Sequence, residues 1–429
     1  MALFGMIGTG SFSAEERPEN WRQKILQLDP NNSAPLTSIL SKMKSEATDD
    51  AVFHWFEQMM SAQAGNITEV WTNVGMSTAY VSGAAVGTLL YVQMPLAFVQ
   101  ECPVGKELAL LDNIYPANMI AVRVQARTEN GASSYLTVKC LQADPSGWIA
   151  AADVAIVAGS IHEEGAEIPR AVSYSPTPRS NYCQIHRTSL EMTRTAMKTA
   201  LRTGDKYKDA KTACLQYHMV ELERASLFGA KYQGTGTDGF PERATGGIIE
   251  AARLNGGLID DFRTTTLVTA TTGTTFASAG EDWLDEVMRR TFINGSRERL
   301  AFVGSKVVAA VNKLIKSKTN ISYSMTTATR DYGLNVTTLL GPFGKMEMIN
   351  HPLFNKSDAL MGLWVSLDPA NLRWRYIDDT QFYKDGDQKS RSRYNRRDRL
   401  DEEFLTEGGL EIHHASTIAV LSGFGETHL

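Results

Sequence analysis

The stretch Asp205-Lys-Tyr-Lys-Asp-Ala-Lys-Thr-Ala-Cys-Leu-Gln-Tyr-His-Met-Val-Glu-Leu-Glu-Arg-Ala-Ser-Leu-Phe-Gly229 decides the fold, because it predicts one long helix. Its apolar side chains recur at i, i+4, i+7 and i+10, as in a helix with one face on a core. The predicted core-facing residues are Leu215, Met219, Leu222 and Ala225. Polar residues such as Glu223 fall on other faces. Asp205 is a suitable N-cap, and Gly229 suits the left-handed conformation that closes many helices.

The residues before this helix predict a strand that leads into it, Asn181-Tyr-Cys-Gln-Ile-His-Arg-Thr-Ser-Leu-Glu-Met-Thr-Arg-Thr195. Together, strand and helix resemble the major capsid proteins of tailed bacteriophages, nearest to the podophage-type major head proteins. In that family an Asn-x-x-Gln-Ile strand precedes a "spine" helix that ends in Glu-Arg-x-x-x-x-Gly. The matching residues here are Asn181, Gln184, Ile185, Glu223, Arg224 and Gly229.

Two further segments agree with this resemblance. Pro35–Leu40 with Phe53–Glu57 looks like the family's N-terminal arm and its aromatic anchor, and Glu407–Ala415 looks like the closing strand of the peripheral domain. The resemblance implies an α+β chain with the Hong Kong-type fold of tailed-phage and herpesvirus major capsids. The implied parts are an N-terminal arm and anchor (1–60), an extended loop with a β-rich insertion (61–170), a peripheral domain with the spine helix (171–235), an axial domain (236–385) and a return to the peripheral domain (386–429).

The resemblance also implies a function. Copies of the chain would self-assemble as pentamers and hexamers into an icosahedral head that encloses double-stranded DNA without sequence-specific binding. Portal, scaffolding or decoration proteins are the implied partners. The location would be the virion, with assembly in the bacterial host cytoplasm.

Composition fits a structural protein better than a nucleic-acid binder. The 429 residues carry a net charge of −5 and a pI near 6.0, which argues against a protein whose main task is wrapping nucleic acid. The four cysteines are widely spaced and form no Cys-x-x-Cys pair, so no zinc site is predicted. The apolar region Val74–Val99 is interrupted by glycines and polar residues and suits strands better than a membrane span.

Local patterns place further elements. Alternation predicts strands at Leu89–Val92, Ile120–Val124, Tyr135–Leu141, Val154–Val157, Gly333–Leu340, Lys345–Ile349, Ala359–Val365 and within Thr406–Gly423. Glu129–Gly131 predicts a hairpin turn. Helices are predicted at Glu281–Asn294 and Ser305–Ser317, and a further helix at Glu15–Leu28.

No catalytic, cofactor-binding or metal-binding residues are predicted. Gly234-Thr-Gly-Thr-Asp-Gly239 has dinucleotide-loop spacing, but it follows a helix and runs into Pro241, so a flexible connection is favoured for this segment and for Gly246-Gly247. The adjacent His413 and His414 would point to opposite faces of a strand, and Glu163, Glu164 and Glu167 suggest a solvated turn. Two alternatives stay open: an encapsulin-like nanocompartment shell, and an α/β enzyme with a site near the Gly234–Gly247 loop.

A basic tract from Lys389 to Arg399 is followed at once by an acidic block. Such complementary blocks favour contact between subunits, while nucleic-acid contact and a solvated loop stay open as alternatives. The predicted contact residues are Arg391, Arg393, Arg396, Arg397, Arg399, Asp401, Glu402 and Glu403.

Overall fold

The computed structural model describes residues 45–149, 153–169, 171–199, 205–269, 271–317, 324–329, 335–384 and 399–429. These residues form two compact units. The first holds the described residues up to Trp55 together with Pro178–Leu429, and the second is Phe56–Thr177. The segments Pro35–Leu40 and Glu15–Leu28 of the predicted arm lie outside the described residues.

The helices of the described residues are α1 (Leu96–Glu101), α2 (Arg194–Lys198), α3 (Lys206–Phe228), α4 (Ile248–Leu254), α5 (Phe276–Thr291), α6 (Ser305–Ser317) and α7 (Asp358–Met361). The strands up to the long helix are β1 (Ser45–Ala47), β2 (Val52–Glu57), β3 (Ala64–Asn66), β4 (Glu69–Trp71), β5 (Leu89–Gln93), β6 (Lys106–Leu111), β7 (Met119–Thr128), β8 (Tyr135–Cys140), β9 (Val154–Ser160), β10 (Thr177–Tyr182) and β11 (Gln184–Thr193). The strands after it are β12 (Tyr232–Thr235), β13 (Pro241–Ala244), β14 (Leu258–Asp261), β15 (Glu298–Val303), β16 (Ser324–Thr329), β17 (Asn335–Leu340), β18 (Lys345–Asn350), β19 (Trp364–Leu367), β20 (Leu372–Tyr383), β21 (Arg399–Ile412) and β22 (Ala419–Ser422).

The second unit is an antiparallel sheet with its own core. Its described strands have the order β3-β9-β6-β7-β8-β5-β4. Alternate residues of the central strands, such as Val122, Leu136 and Val138, are completely buried in this core. The predicted strands in this region are confirmed, and Gly131, with φ +53°, lies in the predicted turn between β7 and β8.

In the first unit, a four-stranded sheet of the order β1-β20-β21-β11 carries the long helix α3 on one face. Strands β20 and β21, of 12 and 14 residues, form its antiparallel centre, whereas the short β1 pairs in parallel with β20. Leu190 of β11, Cys214 of α3 and Phe404 of β21 form the cluster between helix and sheet.

The first unit also contains a sheet with the described order β14-β22-β19-β15-β18-β17-β16, which mixes parallel with antiparallel pairs. This sheet of the first unit is called the seven-stranded sheet below. Its strands β15, β18 and β19 are buried on both faces, which explains the continuous apolar run of β15. Ala301 and Val303 pack with Trp283 of α5 and Val307 of α6. Phe302, between them, points into a core shared with Leu410 of the four-stranded sheet and Leu227 at the end of α3.

One expectation about this region is wrong. Ala359–Val365 is not one strand, because the Ser357 carbonyl accepts the amides of Leu360 and Met361 in the short helix α7 and β19 begins only at Trp364. Strand β20 belongs to the four-stranded sheet, and β22 returns to the seven-stranded one; these pairings are long-range and leave no local trace in the sequence.

The bounds predicted for the long helix hold, but its predicted core face does not. Asp205 Oδ1 accepts a hydrogen bond from the Tyr207 amide at 3.1 Å. Leu222 is buried, whereas Leu215 is 36% exposed and Met219 and Ala225 are half-buried. The buried face consists of Cys214, His218, Leu222, Glu223, Ser226 and Leu227. The helix is rotated from the prediction because polar His218 and Glu223 find partners inside.

Gly229 also departs from the prediction. It has φ −56° and not a left-handed backbone. Glycine is required there by space, since a Cβ would lie 2.4 Å from the Ala225 carbonyl oxygen and 2.5 Å from that of Thr245. No helix in the described part of the chain is long and apolar enough to span a membrane.

We predict that Leu222→Asp destabilises the fold by at least about 3 kcal/mol, because it removes a buried side chain and buries a carboxylate in its place. Leu215→Asp, two turns earlier on the same helix, is the matched control and should change stability by less than about 1 kcal/mol, since Leu215 is exposed. Urea unfolding of isolated subunits measures both. Equal losses for the two variants would contradict the observed rotation of the helix.

Candidate assembly site around the long helix

Two histidines lie side by side beneath the long helix. His218, completely buried on α3, bonds Thr188 Oγ1 through Nδ1 at 2.9 Å and Thr406 Oγ1 through Nε2 at 2.7 Å. His186 of β11 is 1% exposed, and neither of its ring nitrogens has a hydrogen-bond partner. Burial, helped by the nearby His218, lowers the pKa of His186 to about 4. Burial also lowers the pKa of His218. Both rings are therefore neutral at pH 7.

A second buried contact joins the helix to the seven-stranded sheet. His351, which follows β18, accepts the Leu353 amide at Nδ1 (3.2 Å), so Nε2 carries the proton and donates to Glu223 Oε1 at 2.7 Å. Both side chains are completely buried, and the His351 ring stacks on Phe354 at 4.7 Å. Glu223, one of the residues of the capsid pattern, thus fixes the helix to the neighbouring sheet.

Three other residues of that pattern, Asn181, Gln184 and Gly229, meet at one backbone crossing, whereas Ile185 and Arg224 are exposed. Asn181 donates from Nδ2 to the carbonyls of Gly246 (3.0 Å) and Leu410 (2.7 Å), and its Oδ1 accepts from the Gly246 amide (2.8 Å). Gln184 Oε1 accepts from the Thr245 amide at 3.1 Å. The Gly247 amide donates to the Gly229 carbonyl at 2.8 Å. The crossing ties strand, helix end and the start of α4 together.

The glycine-rich segment after the helix divides into two parts. Gly234–Gly239 belongs to the hairpin of β12 and β13, whose turn has Gly239 at φ +80°. Gly246 and Gly247 lie in the crossing, where a Cβ on Gly247 would be 2.8 Å from the Gly229 nitrogen. The expected flexible connection is therefore wrong for Gly246 and Gly247, which are buried and closely packed.

The acidic block after the basic tract is paired within the subunit. Asp401 bonds Arg399 at 2.8 Å, and Glu403 accepts two bonds from Arg187, each 2.8 Å. Glu402 is 6% exposed and accepts the Tyr207 hydroxyl at 2.6 Å, so burial contradicts its prediction as a contact to a neighbour. The other contact candidates, Arg391, Arg393, Arg396 and Arg397, lie outside the described residues.

The histidine pair and the acidic cluster considered in the sequence lie apart from these contacts. His413 and His414 follow the end of β21; His413 pairs with Glu411, and His414 has a left-handed backbone at φ +47°. Glu163, 80% exposed, lies 3.7 Å from Arg123 near the turn at Gly165. In the described part of the chain, no group of three or more His, Cys, Asp or Glu side chains is arranged to hold a metal ion.

Sequence reasoning missed the anchor of the first described strand. Glu46 of β1 bonds Arg373 at 3.0 Å and Arg375 at 2.5 Å on the adjacent β20. Arg375 also pairs with the buried Glu411. Alternation of Arg373 and Arg375 with Leu372 and Trp374 was the available indication of a strand with one charged face.

Four residues that carry the capsid resemblance, Asn181, Gln184, Glu223 and Gly229, thus hold the long helix and its strand in place, and the sequence comparison agrees with the resemblance. Residues 6–425 match the SU10 major capsid protein family. The chain belongs to this family. The predicted resemblance to bacteriophage major capsid proteins is thereby confirmed.

Individual relatives are distant. The chain is 24% identical over 382 residues to the major capsid protein of Pseudomonas phage PaMx41, covering 87% of this chain and 83% of that protein. Among solved structures it is similar to one from Mycobacterium phage Cain, with a TM-score of 0.44 and 10% identity over 98% of this chain and 99% of that one. It is also similar to the holo-SrpI encapsulin complex from Synechococcus elongatus PCC 7942, with a TM-score of 0.40 and 12% identity over 60% and 80%. Family membership rests on the sequence match, since both TM-scores are below 0.5.

We predict that His186 makes the subunit sensitive to acid. The unfolded ring takes up a proton near pH 6.5, whereas the buried ring does so near pH 4. Between pH 6.5 and pH 4 the unfolded state therefore binds more protons than the folded state. The contribution of His186 to the free energy of unfolding is complete above pH 6.5 and is lost as the pH falls toward 4. His186→Phe keeps an aromatic ring and should reduce the loss between pH 7 and pH 4.5, measured by urea unfolding. An unchanged pH dependence would rule out His186 as its source.

Proposed function

We propose that this protein is the structural major capsid protein of a tailed-phage head and that its copies self-assemble around double-stranded DNA. The single observation that supports this most is membership of the SU10 major capsid protein family over residues 6–425. A Pseudomonas phage relative that covers 87% of the chain carries the same description. We further propose an icosahedral shell of pentamers and hexamers, located in the virion and assembled in the host cytoplasm.

We assign the parts of the capsid architecture to the described elements. The long helix α3 is the spine helix, and the four-stranded sheet beneath it is the peripheral domain. The seven-stranded sheet of the first unit is the axial domain, and Phe56–Thr177 contains the extended loop with its β insertion. Residues 1–60 are the N-terminal arm and its anchor in this proposal, and Glu46 fixes their strand β1 to β20.

We also propose that the chain is not an enzyme. The Gly234–Gly247 region on which the enzyme alternative depends is a hairpin and a packed crossing, with neither part placed to cradle a phosphate. The buried histidines His218 and His351 are held by threonines and by Glu223 beneath the helix, away from solvent. An encapsulin-like shell differs from a phage head in its contents, so the contents of assembled particles must be measured to distinguish the two.

The decisive experiment is electron microscopy of the expressed protein together with an assay of the particle contents. We expect the expressed protein to form closed shells. In phage-infected cells, we expect these shells to contain nuclease-protected DNA. Shells that instead enclose a protein cargo would favour the nanocompartment alternative. Soluble monomers with turnover in a hydrolase or nucleotide-binding screen would favour the enzyme alternative.

For the basic tract we propose contact with a neighbouring subunit. We predict that Arg396→Glu with Arg397→Glu reduces shell yield at least about tenfold and leaves the circular dichroism of the subunit unchanged, because attraction becomes repulsion at every copy of the contact. Arg396→Lys with Arg397→Lys preserves the charge and is the control. If the reversed variant forms normal shells that package less DNA, the tract contacts nucleic acid instead.

A further inference from the structure

Three asparagines of the chain are followed directly by glycine: Asn130, Asn255 and Asn294. Such a pair is chemically labile, because glycine has no Cβ to shield its amide nitrogen. That nitrogen can attack the side-chain carbonyl carbon of the asparagine and expel ammonia. Water then opens the cyclic imide to aspartate or isoaspartate. In a folded protein, the rate of this reaction depends on the contacts that each pair makes.

The pair Asn294-Gly295 lies in the exposed loop between α5 and β15. Arg299 of β15 is buried against this loop, and its Nη2 donates to the Asn294 carbonyl oxygen. A Cβ on Gly295 would lie 2.7 Å from the same Nη2 atom, so the guanidinium lies directly against this peptide unit. Arg299 Nη1 lies 3.1 Å from Asp368 Oδ2, which fixes the guanidinium from the other side. The loop therefore holds a labile pair against a buried cation.

The geometry of the loop requires glycine at position 295. Gly295 has φ +80°, a left-handed backbone that residues with a Cβ rarely adopt. Besides Arg299, a Cβ there would meet Thr417 Cγ2 at 3.1 Å. A larger residue, which would shield the amide nitrogen, is therefore not compatible with this loop.

The bond from Arg299 favours the first step of the reaction. The attacking group is the Gly295 amide nitrogen after it has lost its proton, and its negative charge is shared with the Asn294 carbonyl oxygen. A guanidinium stays charged in proteins, so a donor from it to that oxygen stabilises the anion, as oxyanion-hole donors do in enzymes. Within the described part of the chain, the Asn294 side chain and the Gly295 amide have no hydrogen-bond partner, so neither must break a bond first.

The other two pairs lack this arrangement. The Asn130 carbonyl oxygen accepts the Ser133 amide at 3.0 Å, which is a neutral donor. Asn255 is half-buried, and its Oδ1 accepts Arg179 Nη1 at 2.7 Å. This charge-assisted bond restrains the side chain that has to turn onto the following amide nitrogen. Both pairs therefore serve as internal references for the same reaction.

We propose that Asn294 is a site of spontaneous modification, at which Arg299 promotes conversion of the asparagine to aspartate or isoaspartate. A bond forms between the Gly295 nitrogen and Asn294 Cγ, the bond from Cγ to Nδ2 breaks, and Nδ2 leaves as ammonia with the proton of the amide. Water then adds to either carbonyl of the imide, so water is the only other reactant. Each conversion adds one negative charge beside the buried Arg299. This inference does not depend on the proposed shell function.

The test measures the reaction at all three pairs in full-length subunits. Folded subunits and subunits unfolded in urea are incubated at the same pH and temperature and then digested after lysine and arginine. The resulting peptides 128–139, 254–263 and 291–297 each contain one of the three asparagines and no glutamine, so a mass change identifies its site. The rate in the folded protein divided by the rate in urea removes the effect of the local sequence.

We expect this ratio to be at least about fivefold higher at Asn294 than at Asn130, because a charge-assisted hydrogen bond is stronger than a neutral one. The lowest ratio is expected at Asn255. A ratio at Asn294 that does not exceed the ratio at Asn130 would overturn the proposal.

Arg299→Gln removes the cation and should lower the ratio at Asn294 at least about fivefold, whereas the ratio at Asn130 in the second unit should not change. Circular dichroism shows whether this variant folds. If it folds and Asn294 reacts as fast as in the wild type, Arg299 plays no part and the proposal is wrong. If it does not fold, the comparison of the three pairs in the wild-type protein still decides.

Discussion

The orientation of the long helix depends on the polar groups that it buries. A helix with a purely apolar stripe can rotate a little without much loss, but a buried carboxylate or imidazole loses several kcal/mol if its partner moves away. Glu223 meets His351 on the seven-stranded sheet, and His218 meets Thr188 and Thr406 on the four-stranded sheet. Only one rotation of α3 satisfies both sets of contacts, and it is the rotation that exposes Leu215.

The two contacts also connect parts of the chain that are far apart in sequence. His351 is 128 residues from Glu223, and Thr406 is 188 residues from His218. Asn181 adds a third connection, from β10 to both Gly246 and Leu410. Buried side-chain hydrogen bonds therefore tie the helix to the four-stranded sheet, to the start of α4 and to the seven-stranded sheet. Each of these bonds would leave a buried polar group unpaired if the parts moved apart, so they oppose such a movement.

The sequence was informative where structure is determined locally. Asp205 and Gly229 bound the long helix, and the alternation in β7 and β8 reflects one buried face, so these elements could be predicted. The buried face of the helix could not, because Glu223 and His218 look like surface residues until their partners are known. The passage of β20 and β22 between two sheets was also inaccessible, since strand pairing over long separations leaves no periodic trace. For the candidate contact surfaces, the sequence showed where charged residues lie along the chain. It did not show which of them are already paired within the subunit.

The acidic block shows why adjacency in sequence misleads on a strand. Side chains alternate between faces, so three consecutive acidic residues cannot form one patch. Asp401 and Glu403 lie on the face that carries Arg399 and Arg187, whereas Glu402 points under the helix to Tyr207. Each carboxylate therefore has its own partner, and the run provides no free acidic surface for the arginines that precede it in the chain. The predicted contact of those arginines with a neighbouring copy therefore requires carboxylates other than Asp401, Glu402 and Glu403.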